Sequence, residues 1–194
     1  MYYWPERKNQ RLKNYDYSSV GYYFVTFCSK GRIDYFWEIQ NWEMILNDYG
    51  EMLQQSFIRT QEIRKEIDID EYIIMPNHIH VIIIIQNPVG NAGMRSEPGG
   101  NYDSGQYTCG PYENEILSKT KNVLSNCIQW LKAYTTKEIR QNYGDYEFAW
   151  QKSFHDVIIR SQDQLDKTRE YIRMNPSKWK EDINNQINIQ AWKK

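Results

Sequence analysis

A chain of 194 residues, 40% of them hydrophobic, with a formal charge of −1, is long enough for one domain with its own core and too short for two full ones. The near-neutral balance excludes a nonspecific polycation. The longest aliphatic run, Val81 to Ile85, is too short to cross a bilayer, and the opening Met1-Tyr2-Tyr3-Trp4-Pro5-Glu6-Arg7 lacks the apolar region of a signal peptide, so a soluble, cytoplasmic protein without a membrane partner is expected. Cys28, Cys109 and Cys127 are odd in number and form no Cys-x-x-Cys pair, which reads as reduced thiols.

The first predicted segment is a basic, aromatic N-terminal arm over residues 1–20, followed by a strand at Gly21-Tyr22-Tyr23-Phe24-Val25-Thr26-Phe27-Cys28, rich in aromatic and β-branched residues. Charge is segregated along the chain. Residues 1 to 32 carry six basic and two acidic side chains, whereas 33 to 58 carry five acids and no Lys or Arg. Trp37 to Lys65 has no proline and places Ile45, Met52, Leu53 and Phe57 at helical spacing, so one long helix, broken near Gly50, is predicted. Ile67 to Met75 and Ile79 to Ile85 are two apolar runs joined by Pro76-Asn77, read as paired strands.

Two of the chain's three histidines, His78 and His80, open the second of these strands. Side chains two apart on a strand share a face at roughly 7 Å, so both imidazoles can reach one metal ion. Half-buried polar decoration is the commoner use of such a pair, and a metal site needs a third ligand and a reactive group.

Residues 87–112 hold six of the ten glycines and three of the six prolines and read as a flexible insertion. No Gly-Lys-Ser or Gly-Lys-Thr follows them, so no nucleotide cofactor is expected. Ile116, Val123, Leu124, Cys127, Ile128 and Leu131 predict a helix from about 114 to 140. The stretch 146–160 reads as extended and ends in Val157-Ile158-Ile159, and a last helix runs from about Gln162 to Asn175-Pro176, where proline stops it. The order strand, helix, strand, strand, helix, strand, helix predicts an α+β, ferredoxin-like (RRM-like) sandwich. It occupies 21–180, with 181–194 as a C-terminal tail.

On the last helix Tyr171 and Asn175 lie one turn apart on one face. Asn175 offers a carbonyl oxygen that could complete an oxygen-tolerant site with His78 and His80, suited to Mg²⁺ or Mn²⁺. A phenol is a poor nucleophile at neutral pH, and a nearby cation favours its phenolate.

Tyr171-Ile172-Arg173-Met174-Asn175-Pro176-Ser177-Lys178-Trp179 resembles the signature that closes the catalytic region of REP-associated tyrosine transposases. Arg11 to Ser18 with Gly21 to Thr26 resembles that family's opening, Met75-Pro76-Asn77-His78-Ile79-His80 its HUH motif, and Trp150-Gln151-Lys152-Ser153-Phe154-His155-Asp156 the stretch before its catalytic helix. The resemblance runs from about Arg11 to Trp179, apart from the glycine-rich insertion. It implies a single-tyrosine HUH nuclease that nicks and rejoins single-stranded DNA beside palindromic hairpins through a 5′-phosphotyrosine. Tyr171 matches the nucleophile, His78 and His80 the metal pair, and Asn175 the position of a polar third ligand.

Arg7, Lys8, Arg11, Lys13, Lys152 and Arg173 are the expected DNA contacts, with aromatic residues interleaved for base stacking. His155 supports the site, touches DNA or makes a structural hydrogen bond. The resemblance implies action as a monomer or homodimer on single-stranded or hairpin DNA, in the cytoplasm in association with the nucleoid. A catalytically silent DNA- or RNA-binding module on the same scaffold and a small-phosphoester hydrolase stay open as other function classes.

Overall fold

The computed structural model describes residues 15–40, 43–86, 122–185 and 188. Residues 1–14 of the arm, with Arg7, Lys8, Arg11 and Lys13, and the 87–112 insertion lie outside the described residues. The elements are β1 (Gly21–Cys28), β2 (Trp37–Gln40), β3 (Glu43–Leu46), α1 (Asp48–Ile63), β4 (Ile67–Ile74), β5 (His78–Ile85), α2 (Val123–Tyr143), β6 (His155–Ile159) and α3 (Gln162–Met174).

Four strands form one antiparallel sheet in the order β4-β5-β1-β6. Leaving aside the β2–β3 hairpin, chain order within this sheet is the ferredoxin-like βαββαβ, with α3 added after the last strand. The α+β expectation therefore holds. β5 lies inside the sheet and is covered on both faces, which suits its near-continuous aliphatic sequence.

Alternation along the strands sorts side chains between the two faces. Tyr23, Val25 and Phe27 of β1 and Ile79, Val81, Ile83 and Ile85 of β5 pack into one buried core with Leu53 and Phe57 of α1 and Leu124, Ile128 and Leu131 of α2. Each such side chain contributes roughly 1.5–3 kcal/mol by leaving water. On the opposite face Ile82 and Ile159 meet Leu165 and Ile172 of α3, with Tyr22, Phe24 and Ile73 beside them.

The predicted helix from Trp37 to Lys65 is corrected: its first third is the β2–β3 hairpin. Trp37-Glu38-Ile39-Gln40 alternates apolar and polar residues, which favours a strand, and Trp37 Nε1 donates to Ile74 O at 2.7 Å, fastening the hairpin to the sheet. Asn47 then starts α1, its side-chain oxygen accepting from the N–H groups of Tyr49 and Gly50 at 3.1 Å each. Asp48 and Glu51 add favourable negative charge in the first turn.

Helix α3 is placed by different forces. Ser161 caps it, accepting from Gln164 N at 3.2 Å, and only Leu165 and Ile172 are buried. The flank towards β4 is held by charge. A register shift between Ile69 and Tyr72 coincides with Asp70 and Glu71, and Arg169 grips both oxygens of Asp70 at 2.7 and 2.8 Å. Arg173 binds Glu71 at 2.7 Å.

Candidate metal centre and tyrosine

His78 and His80 emerge on the sheet face covered by α3, at the start of β5. They are 0% and 3% exposed, and their Nε2 atoms lie 3.0 Å apart. Two nitrogens at that separation can both sit about 2.1 Å from one cation. Burial lowers both imidazoles to about 3, aided by the Arg32 charge at His78 and by His78 itself at His80, against which Asp182 pulls His80 upward. Both rings are therefore neutral at ordinary pH, each with one N–H and one lone pair able to bind a metal.

The carboxylate beside them belongs to Asp182. Its Oδ2 is 3.8 Å from His78 Nε2, and the three ligand atoms of His78, His80 and Asp182 all fall within 4.8 Å of one another. A 3-10 turn over Pro176–Glu181 brings it there. The other oxygen, Oδ1, accepts from Asn184 N at 2.6 Å, and the backbone of Asp182 is fixed by its N–H donating to Trp179 O at 3.2 Å. The Trp179 ring lies 5.9 Å from that of His78 and walls the cluster. Two neutral imidazoles and one carboxylate are a donor set that can hold a divalent metal ion.

Tyr171 comes to the same place from α3. Its hydroxyl lies 3.4 Å from His80 Nε2, and its ring meets Phe24 edge-on at 5.9 Å. Phe24 in turn stacks on His80 at 5.4 Å. The imidazoles are sealed, while Tyr171 is 47% exposed. A buried polar cluster thus opens to solvent beside one phenol.

The other sequence-derived residues are distributed differently. Asn175 is buried at the C-cap of α3, where the helix passes into the 3-10 turn. Arg173 is engaged with Glu71. Lys152 is exposed and lines an open cleft of about 630 Å³ with Lys132, Lys137 and Arg140. His155, exposed, begins β6 opposite Thr26, whose hydroxyl is 2.8 Å from His80 Nδ1.

Asp182 was not picked out by sequence reasoning. No local pattern marks it, because only the reversal of the chain after Pro176 brings it to His78. Nor was Asn77 read as more than a turn residue, although it directly precedes the pair and its Oδ1 lies 3.0 Å from His78 Nδ1.

The chain matches no profile of a known protein family. An uncharacterized protein of Haemophilus influenzae is 32% identical to it over 178 residues, 91% of each chain. Among solved structures, a REP-associated tyrosine transposase bound to a REP hairpin superposes with a TM-score of 0.50 at 18% identity, over 87% of this chain and 73% of that one. At that identity the likeness is one of fold. No helix among the described residues is long and apolar enough to cross a membrane.

Proposed function

The chain belongs to the family of the uncharacterized Haemophilus influenzae protein, and we propose that it is a metal-dependent single-strand DNA endonuclease and strand transferase of the REP-associated tyrosine transposase type. The observation that carries this reading is the Tyr171 hydroxyl 3.4 Å from His80 Nε2, at the mouth of the buried His78-His80-Asp182 cluster. A half-exposed phenol beside a largely buried set of cation ligands suits nucleophilic attack on an electrophile that arrives from solvent.

His78, His80 and Asp182 would hold Mg²⁺ or Mn²⁺, with Asn175 available as a further oxygen donor. Bound there, the cation would supply Lewis-acid polarisation of a phosphate oxygen and stabilise developing negative charge. Tyr171 Oη attacks phosphorus, the bond from phosphorus to the 3′-oxygen breaks, and the phenol proton ends on that oxygen. The products are a 3′-hydroxyl strand and a 5′-phosphotyrosine. One phosphodiester replaces another, so a second 3′-hydroxyl can reverse the step and join strands without ATP.

The substrate inferred is a hairpin with a single-stranded flank, in keeping with the REP hairpin bound by the transposase of similar fold. Arg7, Lys8, Arg11, Lys13 and Lys152 would meet its phosphates. Arg173 already neutralises Glu71 and so has less charge to offer DNA. His155, exposed on the same side of the sheet as Thr26, would lie beside the strand as it enters.

The test is incubation of labelled hairpin-bearing single strands with the protein and Mn²⁺. A covalent adduct that needs the metal and disappears in Tyr171→Phe is expected. A protein that binds the hairpin equally well in EDTA and never forms an adduct would be the silent binding module instead.

A further inference from the structure

Asn77 occupies an unusual position for a turn residue. It is 0% exposed, and its side-chain amide touches four residues in three segments of the chain. Nδ2 lies 3.0 Å from Arg32 O, 2.8 Å from Asp34 Oδ1 and 3.0 Å from Asn184 O, while Oδ1 lies 3.0 Å from His78 Nδ1.

These partners fix which end of the amide is which. Two backbone carbonyls and a carboxylate can only accept hydrogen bonds, so the group facing them must be the NH₂. Turning the amide over would set a carbonyl oxygen against three acceptors at a side chain with no exposure to solvent, which buried polar groups do not tolerate. Oδ1 therefore faces His78 and must accept from it. That puts the His78 proton on Nδ1 and leaves Nε2, the atom pointing at His80 and Asp182, as a bare lone pair.

His80 is held differently. Its Nδ1 partner is the Thr26 hydroxyl at 2.8 Å, a group that both donates and accepts. The tautomer of His80 is therefore set by its other nitrogen: facing the bare His78 Nε2 at 3.0 Å, His80 Nε2 carries the proton in metal-free protein and Nδ1 accepts from Thr26.

The same amide reaches the carboxylate. Asn184 O, one of its acceptors, lies in the turn whose Asn184 N–H binds Asp182 Oδ1. Asn77 therefore joins the β1–β2 connection, the β4–β5 turn and the turn bearing Asp182 at one buried point.

We infer that Asn77 is the positioning residue of the metal centre: it locks the Nδ1–H tautomer of His78 and clamps the turn that presents Asp182. This rests on the metal-site reading above and names the residue that assembles it. Outer partners of metal-ligating histidines commonly carry 10–100-fold of metal affinity, and a loss of about that size is expected here without loss of the fold.

The decisive readout is the tautomer of His78 by long-range ¹H–¹⁵N NMR on metal-free protein at pH 7. An Nδ1–H signature in the wild-type protein, giving way to mixed tautomers in Asn77→Ala, is expected. An Nε2–H signature for wild-type His78 overturns the inference. The second readout is Mn²⁺ affinity by titration calorimetry. Asn77→Ala should bind about 10–100-fold more weakly, and Asn77→Asp, which keeps an acceptor for His78 but loses the donors to the Asp182 turn, should keep the tautomer and still bind weakly. Equal affinity in wild type and Asn77→Ala would also overturn it. The wild-type NMR measurement needs neither metal nor a folded variant. It therefore judges the inference even if wild-type protein fails to bind Mn²⁺, an outcome that counts against the metal centre itself.

Discussion

The two faces of β5 are built from alternate residues of one strand and do opposite work. Ile79, Val81, Ile83 and Ile85 enter a core closed by α1 and α2, where position is set mainly by the packing of apolar side chains. His78, His80 and Ile82 point the other way. There only the Ile82 end is apolar, and α3 rests on two buried residues and two ion pairs. One face secures the strand, and the other can then carry buried polar groups that would not hold a sheet together alone.

Four measurements would sharpen or break this contrast. The largest effect expected is on chemistry. Tyr171→Phe should abolish adduct formation while changing stability by less than about 0.5 kcal/mol, because the half-exposed hydroxyl adds little to packing. A large drop in urea midpoint would show that the site face stabilises the fold more than its sparse core suggests.

Next comes Ile83→Ala on the closed face. Truncating a fully enclosed aliphatic side chain costs about 2–5 kcal/mol, so the midpoint should fall sharply while Mn²⁺ affinity of the folded protein stays near wild type. Comparable losses of both would erase the division of labour.

Acid should act first on the site face. His78 and His80 sit at about 3 in the folded chain against about 6.5 when unfolded, so the unfolded state binds more protons between those values. Stability is then fully present above pH 6.5 and declines as pH falls towards 3. The urea midpoint of wild-type protein should drop from pH 7 to pH 4, and the drop should shrink in a His78→Gln, His80→Gln double variant. An identical pH profile in that variant would place the acid sensitivity elsewhere.

The smallest effect is at the α3 tether. Arg169 and Asp70 are 27% and 17% exposed, and loss of their paired hydrogen bonds in Arg169→Met should cost about 1 kcal/mol. Cleavage should suffer more than stability, since the pair holds the flank of the helix opposite Tyr171. A variant with wild-type cleavage rates would show that Leu165 and Ile172 suffice to place the tyrosine.

Strict alternation made much of this legible in sequence. A period of two put His78 and His80 on one face of a strand, and helical spacing put Tyr171 and Asn175 on one face of the last helix, whose end Pro176 marked. Two things were hidden for different reasons. The β2–β3 hairpin lacked glycine or proline punctuation, and its four-residue strands were too short to stand out against the helical spacing that follows. Asp182 and Asn77 were hidden because their roles depend on contacts between segments far apart in the chain, which no local period encodes. Asn77 is visible as a turn residue, and only its buried ring of acceptors reveals what else it does.

The central claim is that Tyr171 bonds to DNA, and the most direct measurement is peptide mapping of the trapped species. After reaction with a hairpin-bearing strand and Mn²⁺, nuclease trimming and trypsin digestion, the peptide Glu170-Tyr171-Ile172-Arg173 should carry the mass of a 5′-linked nucleotide. That mass on another tyrosine, or on no peptide while the DNA is nonetheless cut, would contradict the account.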